Sequence, residues 1–370
     1  MSRPGRRIVM LTLPVEHLVK PPVLHVTGAR PNFPKAAPVL RALAARGVPQ
    51  RLLHTGQHYD KQLSEVFFRQ LGLPEPDLNL GVGSASQARQ TAAIMTGIED
   101  VLTDLRPALV VVYGDVNSTV AAALVASKLG IRLAHVEAGL RSFDRSMPEE
   151  INRIVTDRLA DLLFATSPDA VAHLGNEGVD PARIHLVGNP MIDTLLANLD
   201  RFVAPPGDCP YAVATLHRPA NVDAANDAAE LVKALHAVAD GIEVVLPLHP
   251  RGRDRLRAAG LFDHRRVRVV DPLGYVEFLG LVNGAELVVT DSGGVQEETT
   301  VLGVPCLTLR SSTERPVTIT HGTNRLVTRE RLAAEVERCL RAGRPRTWPT
   351  PPLWDGQAGE RIAAILAAAL

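Results

Sequence analysis

Two acidic side chains follow consecutive predicted strands in the first half of the sequence. Asp115 lies in "YGDVNST" (113–119) after the apolar run "LVVVY", and Glu137 lies in "HVEAGLRS" (135–142) after "RLAHV". Because consecutive αβ units usually give neighbouring parallel strands, we expect the two carboxylates to lie side by side. When two carboxylates share a dry cleft, one stays protonated as an acid and the other ionises as a base. The pattern predicts proton-transfer chemistry, although Asp115 also suits the N-cap of a helix starting near Ser118.

A glycine-rich turn in the second half has the pattern of an anion-binding site. The stretch "TDSGGVQEE" (290–298) follows an apolar run and opens a predicted helix near Val295. Such a turn offers backbone N–H groups to an anion, and glycines let a phosphate approach closely. Glu298 is placed to accept hydrogen bonds from two ribose hydroxyls. The residues predicted to bind are Ser292, Gly293, Gly294 and Glu298. The alternative is a capped helix, with Asp291 or Ser292 as the N-cap.

Basic residues also follow several predicted strands. Arg30 and Lys35 lie in "GARPNFPK" (28–35), at the start of a predicted helix. Cations there oppose the helix dipole, so a bound anion is one explanation and solvent-facing side chains are the other. The second half adds three arginines in "LHRPAN" and "RSSTERP", namely Arg218, Arg310 and Arg315. Guanidinium forks suit diphosphate oxygens, although a single arginine of this kind is usually a solvated surface residue.

The motif "MPEEINR" (147–153) combines two acids and a base. Pro148 is typical of a first helical position, and Glu149 and Glu150 then lie in the first turn with Arg153 one turn further on. Acidic residues favour that position because of the helix dipole. The start of a helix is therefore enough to explain the motif by itself.

The histidines do not predict a metal site. His54 and His58 are four residues apart, but a turn containing Gly56 separates them. His135 and Glu137 alternate along a predicted strand and are expected to share one face. No third ligand with a recognisable spacing accompanies either pair, so we predict no metal.

These residues need strands to position them, and the sequence supplies strands in two groups. Apolar runs alternate with helical patterns, which is typical of parallel α/β sheets. The predicted strands are 23–27, 51–54, 109–113, 132–136, 162–166 and 184–187, then 211–215, 243–247, 267–270, 286–290 and 305–309. The Pro-rich stretch 203–210 predicts a linker between two halves. Ligands of such sheets bind beyond the carboxyl ends of strands, so we expect one cleft between two domains.

The composition excludes several other classes of protein. The chain has 370 residues, which suits two domains, and its 40 basic and 40 acidic residues argue against nucleic-acid or membrane partners. Cys209, Cys306 and Cys339 are far apart, which fits a reduced cytoplasmic protein. Pro14 interrupts the apolar stretch near the start, and no cleavage pattern follows, so we predict no signal peptide. No apolar run approaches the length of a membrane span.

Taken together, the motifs resemble the non-hydrolysing UDP-N-acetylglucosamine 2-epimerase family. The resemblance runs from about residue 23 to the last predicted helix. Its motifs are "GARPNFPKAAPV", "HTGQHYD", "GDVNST", "HVEAGLRSFDRSMPEEINR", "VGNPMID", "LHRPANVD", "DSGGVQEE", "STERP" and "DGQAGERI". The resemblance implies an α/β glycosyltransferase-B fold of two Rossmann-like domains facing across a cleft. It implies domains at 21–202, completed by the C-terminal helix 355–370 packing back on the first domain, and at 207–350.

The resemblance also implies a reaction and a set of residues. UDP leaves C1 as the C2 proton is lost in an anti elimination, and the 2-acetamidoglucal and UDP recombine with inverted C2, without NAD or metal. The catalytic roles fall on Asp115, Glu137, Glu149, Arg153 and His217. UDP or sugar binding falls on Arg30, Lys35, Arg218, Phe278, Ser292, Gly293, Gly294, Glu298 and Arg315. The implied partner is a UDP-sugar, converted between UDP-GlcNAc and UDP-ManNAc by a cytoplasmic homodimer with no cofactor.

Several alternatives stay open at this point. A hydrolysing epimerase would release N-acetylmannosamine and UDP, a glycosyltransferase would need an acceptor, and a 2-epimerase of a modified UDP-GlcNAc would need a different sugar. A non-catalytic sensor would have no need for the three acids. Ala29 and Asn32 stand where many members have Thr and Glu, and Val317 stands where a glutamate is usual. "TGQHYD" keeps Gln57 and His58 but otherwise departs from the pattern of members regulated by a second UDP-GlcNAc, so such regulation stays open.

Overall fold

A computed structural model describes two compact α/β units. It covers residues 20–57, 61–203, 209–216, 218, 225–248 and 250–370. The first unit consists of the described residues up to Thr194 together with Asp355–Leu370, and the second of Leu195–Trp354.

The first unit is built on one parallel sheet with the strand order β3-β2-β1-β4-β5-β6-β7. Its strands are β1 Val23–Thr27, β2 Gln50–His54, β3 Leu78–Asn79, β4 Leu109–Tyr113, β5 Leu133–Ala138, β6 Leu162–Ala165 and β7 Ile184–Leu186. Its helices are α1 Phe33–Ala45, α2 Lys61–Leu71, α3 Gln87–Leu105, α4 Asn117–Lys128, α5 Pro148–Leu159, α6 Pro168–Asn176 and α7 Pro190–Leu196, which runs into the second unit. The central strands are buried along their whole length, as expected for a parallel sheet covered on both faces.

The second unit repeats this architecture with the strand order β10-β9-β8-β11-β12-β13. Its strands are β8 Tyr211–Thr215, β9 Glu243–Pro247, β10 Val267–Val270, β11 Leu287–Thr290, β12 Cys306–Thr308 and β13 Asn324–Leu326. Its further helices are α8 Ala225–Ala239, α9 Pro250–Ala258, α10 Tyr275–Asn283, α11 Gly293–Leu302, α12 Val317–Thr320 and α13 Leu332–Ala342. The last helix of the chain, α14 Ala358–Ala369, belongs to the first unit.

The predicted strands are confirmed to within two residues at either end. The sequence reading missed β3 and β13, which have two and three residues and lie at sheet edges. Edge strands this short carry too few residues for a periodic pattern. The helix predicted near Val295 begins two residues earlier, at Gly293. Linker residues 204–208 lie outside the described residues.

The C-terminal helix is fixed to the first unit by a cap from a distant residue. The Asp193 carboxylate accepts hydrogen bonds from the backbone N–H groups of Ala358, at 3.1 Å, and Gly359, at 2.7 Å. Those donors have no partner within the helix itself. A Cβ added to Gly359 would lie 2.8 Å from the backbone of Pro38, so α14 and α1 pack at close range. Ile362 and Leu366 of α14 are fully buried.

Candidate active site

Both sheets reverse their strand order at a point where polar loops leave the carboxyl ends of neighbouring strands. In the first unit the order reverses between β1 and β4, which are followed by residues 28–35 and by Gly114 and Asp115. In the second unit it reverses between β8 and β11, followed by Leu216 and by the glycine-rich turn 291–294. Open α/β sheets bind ligands at such switch points. The sequence-predicted motifs therefore lie where the topology favours a site.

Glu137 leaves β5 in an unusual backbone conformation. Its φ of +78° is in the left-handed region, which disfavours a non-glycine residue by about 1 kcal/mol. The register with β6 shifts between Val136 and Ala138. An irregularity of this kind re-aims a side chain and is frequent beside active sites. The prediction that His135 and Glu137 share one face assumes that side chains alternate regularly along β5. The register shift breaks that alternation, so the prediction does not apply here.

The Glu137 carboxylate forms a buried ion pair with Lys35. Lys35 is the third residue of α1, and its Nζ donates to Glu137 Oε2. The two residues are only 5% and 3% exposed, so the solvent-facing explanation for Lys35 is wrong. A Cβ on Gly114 would lie 3.0 Å from both Lys35 Nζ and Glu137 Oε2. Gly114 thus leaves room for the pair at the end of β4.

Asn32 ties the loop that carries Arg30 and Lys35 to the neighbouring strand. Its Oδ1 accepts hydrogen bonds from the N–H groups of Gly28, at 3.0 Å, and Ala29, at 3.1 Å. Its Nδ2 donates to the Tyr113 carbonyl at 2.8 Å. This departure from the family pattern has a structural role here, while Arg30 itself is half-buried.

Arg153 of α5 joins two acids. The guanidinium donates to Asp115 Oδ2, and it also donates to Glu150 Oε2 through Nε, at 3.0 Å, and Nη2, at 2.6 Å. The N-cap of α4 is Val116, and Asp115 also has its backbone carbonyl held by Asn152 at 2.8 Å. Asp115 therefore has a charged partner, and its side chain is 24% exposed.

The two glutamates of "MPEEINR" have different surroundings. Glu150 is buried and accepts hydrogen bonds from the N–H groups of Ser142, at 3.0 Å, and Phe143, at 2.9 Å. Burial opposes its ionisation, but those bonds and Arg153 outweigh it and hold the pKa of the Glu150 carboxyl below its usual value. Glu149 is half-buried. Glu150 is a structural anchor that sequence reasoning did not single out, whereas Glu149 has the exposure that a reacting group needs.

The glycine-rich turn of the second unit forms the N-terminus of α11. Ser292 is the N-cap, without a side-chain capping bond, and its N–H donates to Thr290 Oγ1 at 3.0 Å. Gly293 and Gly294 begin the helix, where backbone N–H groups have no intrahelical acceptor. The capped-helix alternative does not involve Asp291, whose carboxylate accepts the Arg218 N–H at 2.9 Å.

The three strand-end arginines meet at Glu314, a buried residue that the sequence analysis did not select. Arg310 donates to it at 2.7 Å, Arg218 lies 3.8 Å away, and Arg315 donates through Nη1. Arg315 also pairs with buried Glu297 at 2.9 Å. A Cβ on Gly293 would lie 2.2 Å from Arg315 Nη1, so this glycine makes room for the guanidinium. The arginines form one cluster with buried counter-charges.

Glu298 is a buried acid that favours its protonated form. Burial, with the Glu297 charge adding to it, raises the pKa of the Glu298 carboxyl to about 8, although a hydrogen bond with Tyr275 opposes the shift. Tyr275 opens α10, and Phe278, one turn further on, is half-buried. Residues of α10 and α11 therefore lie together on this side of the second sheet.

The remaining predictions concern two histidines, a metal site and a membrane span. His217 and His58 lie outside the described residues. Within the part of the chain that the structure describes, no three His, Cys, Asp or Glu side chains are grouped to hold a metal ion. Among the described helices, none has the length and apolar character needed to cross a membrane.

Two Rossmann-like units with polar loops at their switch points define a protein of the glycosyltransferase-B fold class. A family model described as UDP-N-acetylglucosamine 2-epimerase matches residues 41–367. The crystal structure of Methanocaldococcus jannaschii UDP-GlcNAc 2-epimerase in complex with UDP-GlcNAc and UDP superposes with a TM-score of 0.87 at 40% identity, covering 94% of this chain and 99% of that one. The chain belongs to the UDP-N-acetylglucosamine 2-epimerase family, which confirms the resemblance and the fold class.

Two relatives named for different sugars have the same sequence identity to this chain. The UDP-N-acetylglucosamine 2-epimerase of Methanocaldococcus jannaschii is 42% identical, covering 92% of this chain and 97% of its own. The UDP-2,3-diacetamido-2,3-dideoxy-D-glucuronate 2-epimerase of Pseudomonas aeruginosa is also 42% identical, covering 93% of this chain and 99% of its own. Overall identity therefore does not distinguish between these two sugars.

Proposed function

We propose that the protein interconverts UDP-N-acetylglucosamine and UDP-N-acetylmannosamine without releasing free sugar. The observation that carries this proposal is the Lys35–Glu137 pair at the end of β5, beside Asp115 at the end of neighbouring β4. A carboxylate that pairs with an ammonium group carries the charge that a general base needs. Asp115, Glu137 and Glu149 are the acids proposed to exchange protons with the substrate.

In the proposed reaction, a carboxylate removes the proton from C2 of the sugar. The C2–H electron pair becomes the C1–C2 double bond, and the C1–O pair leaves with the β-phosphate of UDP in an anti elimination. UDP then adds back to C1 while C2 accepts a proton on its other face. Atoms and charges balance over the cycle, so the reaction consumes no water, cofactor or redox partner.

Charge develops on both fragments as the C1–O bond breaks. The negative diphosphate is stabilised by positive groups, for which we propose Arg30, Lys35 and His217. Arg153 supports Asp115 through the ion pair described above. The positive character that develops on the sugar is stabilised by the carboxylates.

We assign the remaining UDP contacts to the second unit. The N–H groups at the start of α11 suit phosphate oxygens, and Arg218 and Arg315 add positive charge beside them. Glu298 is assigned to the ribose hydroxyls and Phe278 to the uracil ring. Because Ser292 donates its N–H to Thr290, the amides of Gly293 and Gly294 are the better candidates for phosphate binding.

Incubation of UDP-N-acetylglucosamine in deuterated water tests the proposed elimination. We expect deuterium at C2 of both UDP-sugars, because the proton removed by a carboxylate exchanges with solvent before it returns. Proton and carbon NMR of the reaction mixture follow both the label and the second epimer. Free N-acetylmannosamine as the main product would identify a hydrolysing enzyme, and protium retained at C2 during normal turnover would exclude the elimination.

Binding of UDP at pH 7 is expected to release about 0.9 proton, the protonated fraction of a group whose pKa is about 8. The reason is that ionised Glu298 accepts the ribose hydroxyls better than the neutral acid does. Below pH 8, affinity therefore rises with pH, by up to about tenfold per unit. Calorimetry in buffers of different ionisation enthalpy measures the release.

The matched control for this prediction is Glu298→Gln, which keeps the shape of the side chain but cannot ionise. The proton release at pH 7 is expected to disappear in this variant. An unchanged release in Glu298→Gln would assign the titration to another group and remove Glu298 from the proposed ribose contact.

A second candidate function is 2-epimerisation of a modified UDP-N-acetylglucosamine. The observation that favours it is the 42% identity to the Pseudomonas aeruginosa enzyme named for a diacetamido glucuronate. Comparing kcat/KM over UDP-N-acetylglucosamine and its 3-acetamido and uronate derivatives decides between the two. The homodimer and the cytoplasmic location implied by the family resemblance stay predictions.

A further inference from the structure

The imidazole of His135 lies between two hydrogen-bond acceptors in the interior of the first unit. Its Nδ1 is 2.6 Å from Asp157 Oδ1 and its Nε2 is 2.8 Å from the Gly114 carbonyl oxygen. Both His135 and Asp157 are fully buried. A carbonyl oxygen can only accept, so Nε2 must carry a hydrogen.

The carboxylate on the other side of the ring is also restricted to accepting. Asp157 Oδ2 accepts hydrogen bonds from the Gly139 N–H, at 3.0 Å, and from Arg141 Nη1, at 2.7 Å. Two N–H donors on this oxygen, one of them from a guanidinium, favour the ionised Asp157 carboxylate. An ionised carboxylate has no hydrogen to give, so Nδ1 of His135 must also carry one.

These contacts are made by residues close in the chain to the two proposed catalytic acids. Gly114 precedes Asp115, and its α-carbon packs against the Lys35–Glu137 pair. Gly139 follows Glu137 by two residues, and its carbonyl accepts from His173 at 2.9 Å if Nδ1 of that ring is protonated. The His135–Asp157 pair therefore ties the end of β4 to the end of β5, at the residues where the acids leave the sheet.

We propose that His135 is a positioning residue, held as an imidazolium by Asp157, that fixes Asp115 and Glu137 relative to each other. Its kinetic consequence rests on the proposed epimerase function, whereas its protonation state does not. A neutral ring has a single N–H, so it would release either Asp157 or the Gly114 carbonyl. Loss of the Gly114 contact would let the end of β4 move against Glu137, and a displacement of about 1 Å at a reacting group costs about 100-fold in rate.

The protonation state is measured by NMR on the full-length protein labelled with 15N in its 12 histidines. We expect two ring N–H signals from His135 in the folded protein, assigned by their loss in His135→Gln. His25 is the internal contrast, because burial lowers its pKa to about 3 and leaves one ring N–H. A single ring N–H for His135 in the folded protein would overturn the proposal whatever the enzyme catalyses.

The kinetic arm uses Asp157→Ala and His135→Gln, with His25→Gln as the matched control. His25 is also a fully buried strand histidine, and it contacts Tyr113 at 2.7 Å. We expect kcat per UDP-binding site to fall by about 100-fold in the first two variants, while KM changes by less than about threefold. His25→Gln should keep its kcat per site.

Normalising to UDP-binding sites separates positioning from loss of folded protein. If Asp157→Ala and His135→Gln lose only folded protein and retain kcat per site, the proposed positioning role is wrong. If the wild-type protein turns over none of the UDP-sugars, the proposed function fails. The NMR measurement then still decides whether His135 is the imidazolium inferred here.

Discussion

Replacement of Glu137 by Gln is expected to lower kcat by about 100-fold or more, as for loss of a general acid or base. UDP binding should stay nearly intact, because Arg30 and Lys35 of the first unit are unchanged and the other residues proposed to hold the nucleotide belong to the second unit. Glutamine keeps the size of the side chain and can still accept a hydrogen bond from Lys35 Nζ. The variant therefore removes the proton-exchanging group while changing the surroundings as little as possible.

The measurement needs a correction for stability, because Lys35 would stay buried without its carboxylate. Kinetics are therefore referred to UDP-binding sites, counted by calorimetry. Glu360→Gln is the matched control, since Glu360 pairs with Arg46 on the same unit but is exposed. We expect this control to keep both kcat and UDP affinity. Loss of UDP binding in Glu137→Gln would reassign Glu137 to a structural role.

The second large effect is expected for the stability of Gly139→Ala. Gly139 has a φ of +83°, and a Cβ there would lie 2.4 Å from the Ala170 carbonyl oxygen. The obstacle is backbone of α6, which cannot rotate away as a side chain can. The combined strain and overlap should lower the free energy of unfolding by about 3 kcal/mol or more.

Gly130→Ala separates the two contributions to this loss. Gly130 has a similar φ of +68°, and no described heavy atom lies within 4 Å of a Cβ built on it. Only the left-handed strain remains, so we expect a loss of about 1 kcal/mol. Denaturant unfolding of both variants provides the comparison. Equal losses would show that α6 moves aside and that the loop after β5 is not held rigidly.

Much of the fold could be read from the sequence, since long apolar strands and their polar carboxyl ends leave local signals. Asp115 and Glu137 could be placed on neighbouring strands because consecutive αβ units usually pair, and β4 and β5 do so. The arginines could be placed at strand ends, and the structure brings them to one carboxylate, that of Glu314.

The remaining features depend on contacts between distant segments, which periodicity does not encode. Lys35 and Glu137 are 102 residues apart, and their pairing follows only from the way α1 packs against the sheet. The left-handed conformation of Glu137 has no local signal, because glycine or asparagine would be expected there. Asp157 resembles any polar residue in the last turn of a helix until its three donors are known.

The bond between Asp193 and the start of α14 has a consequence for synthesis on the ribosome. The second unit occupies one continuous stretch of chain, whereas the first needs Asp355–Leu370 to be complete. Domains usually fold in the order of their translation. Here the unit begun first is finished last, after residues 355–370 have been made. Nascent chains arrested before residue 355 should therefore expose the part of α1 around Pro38, which α14 covers, to chaperones while the second unit is already folded.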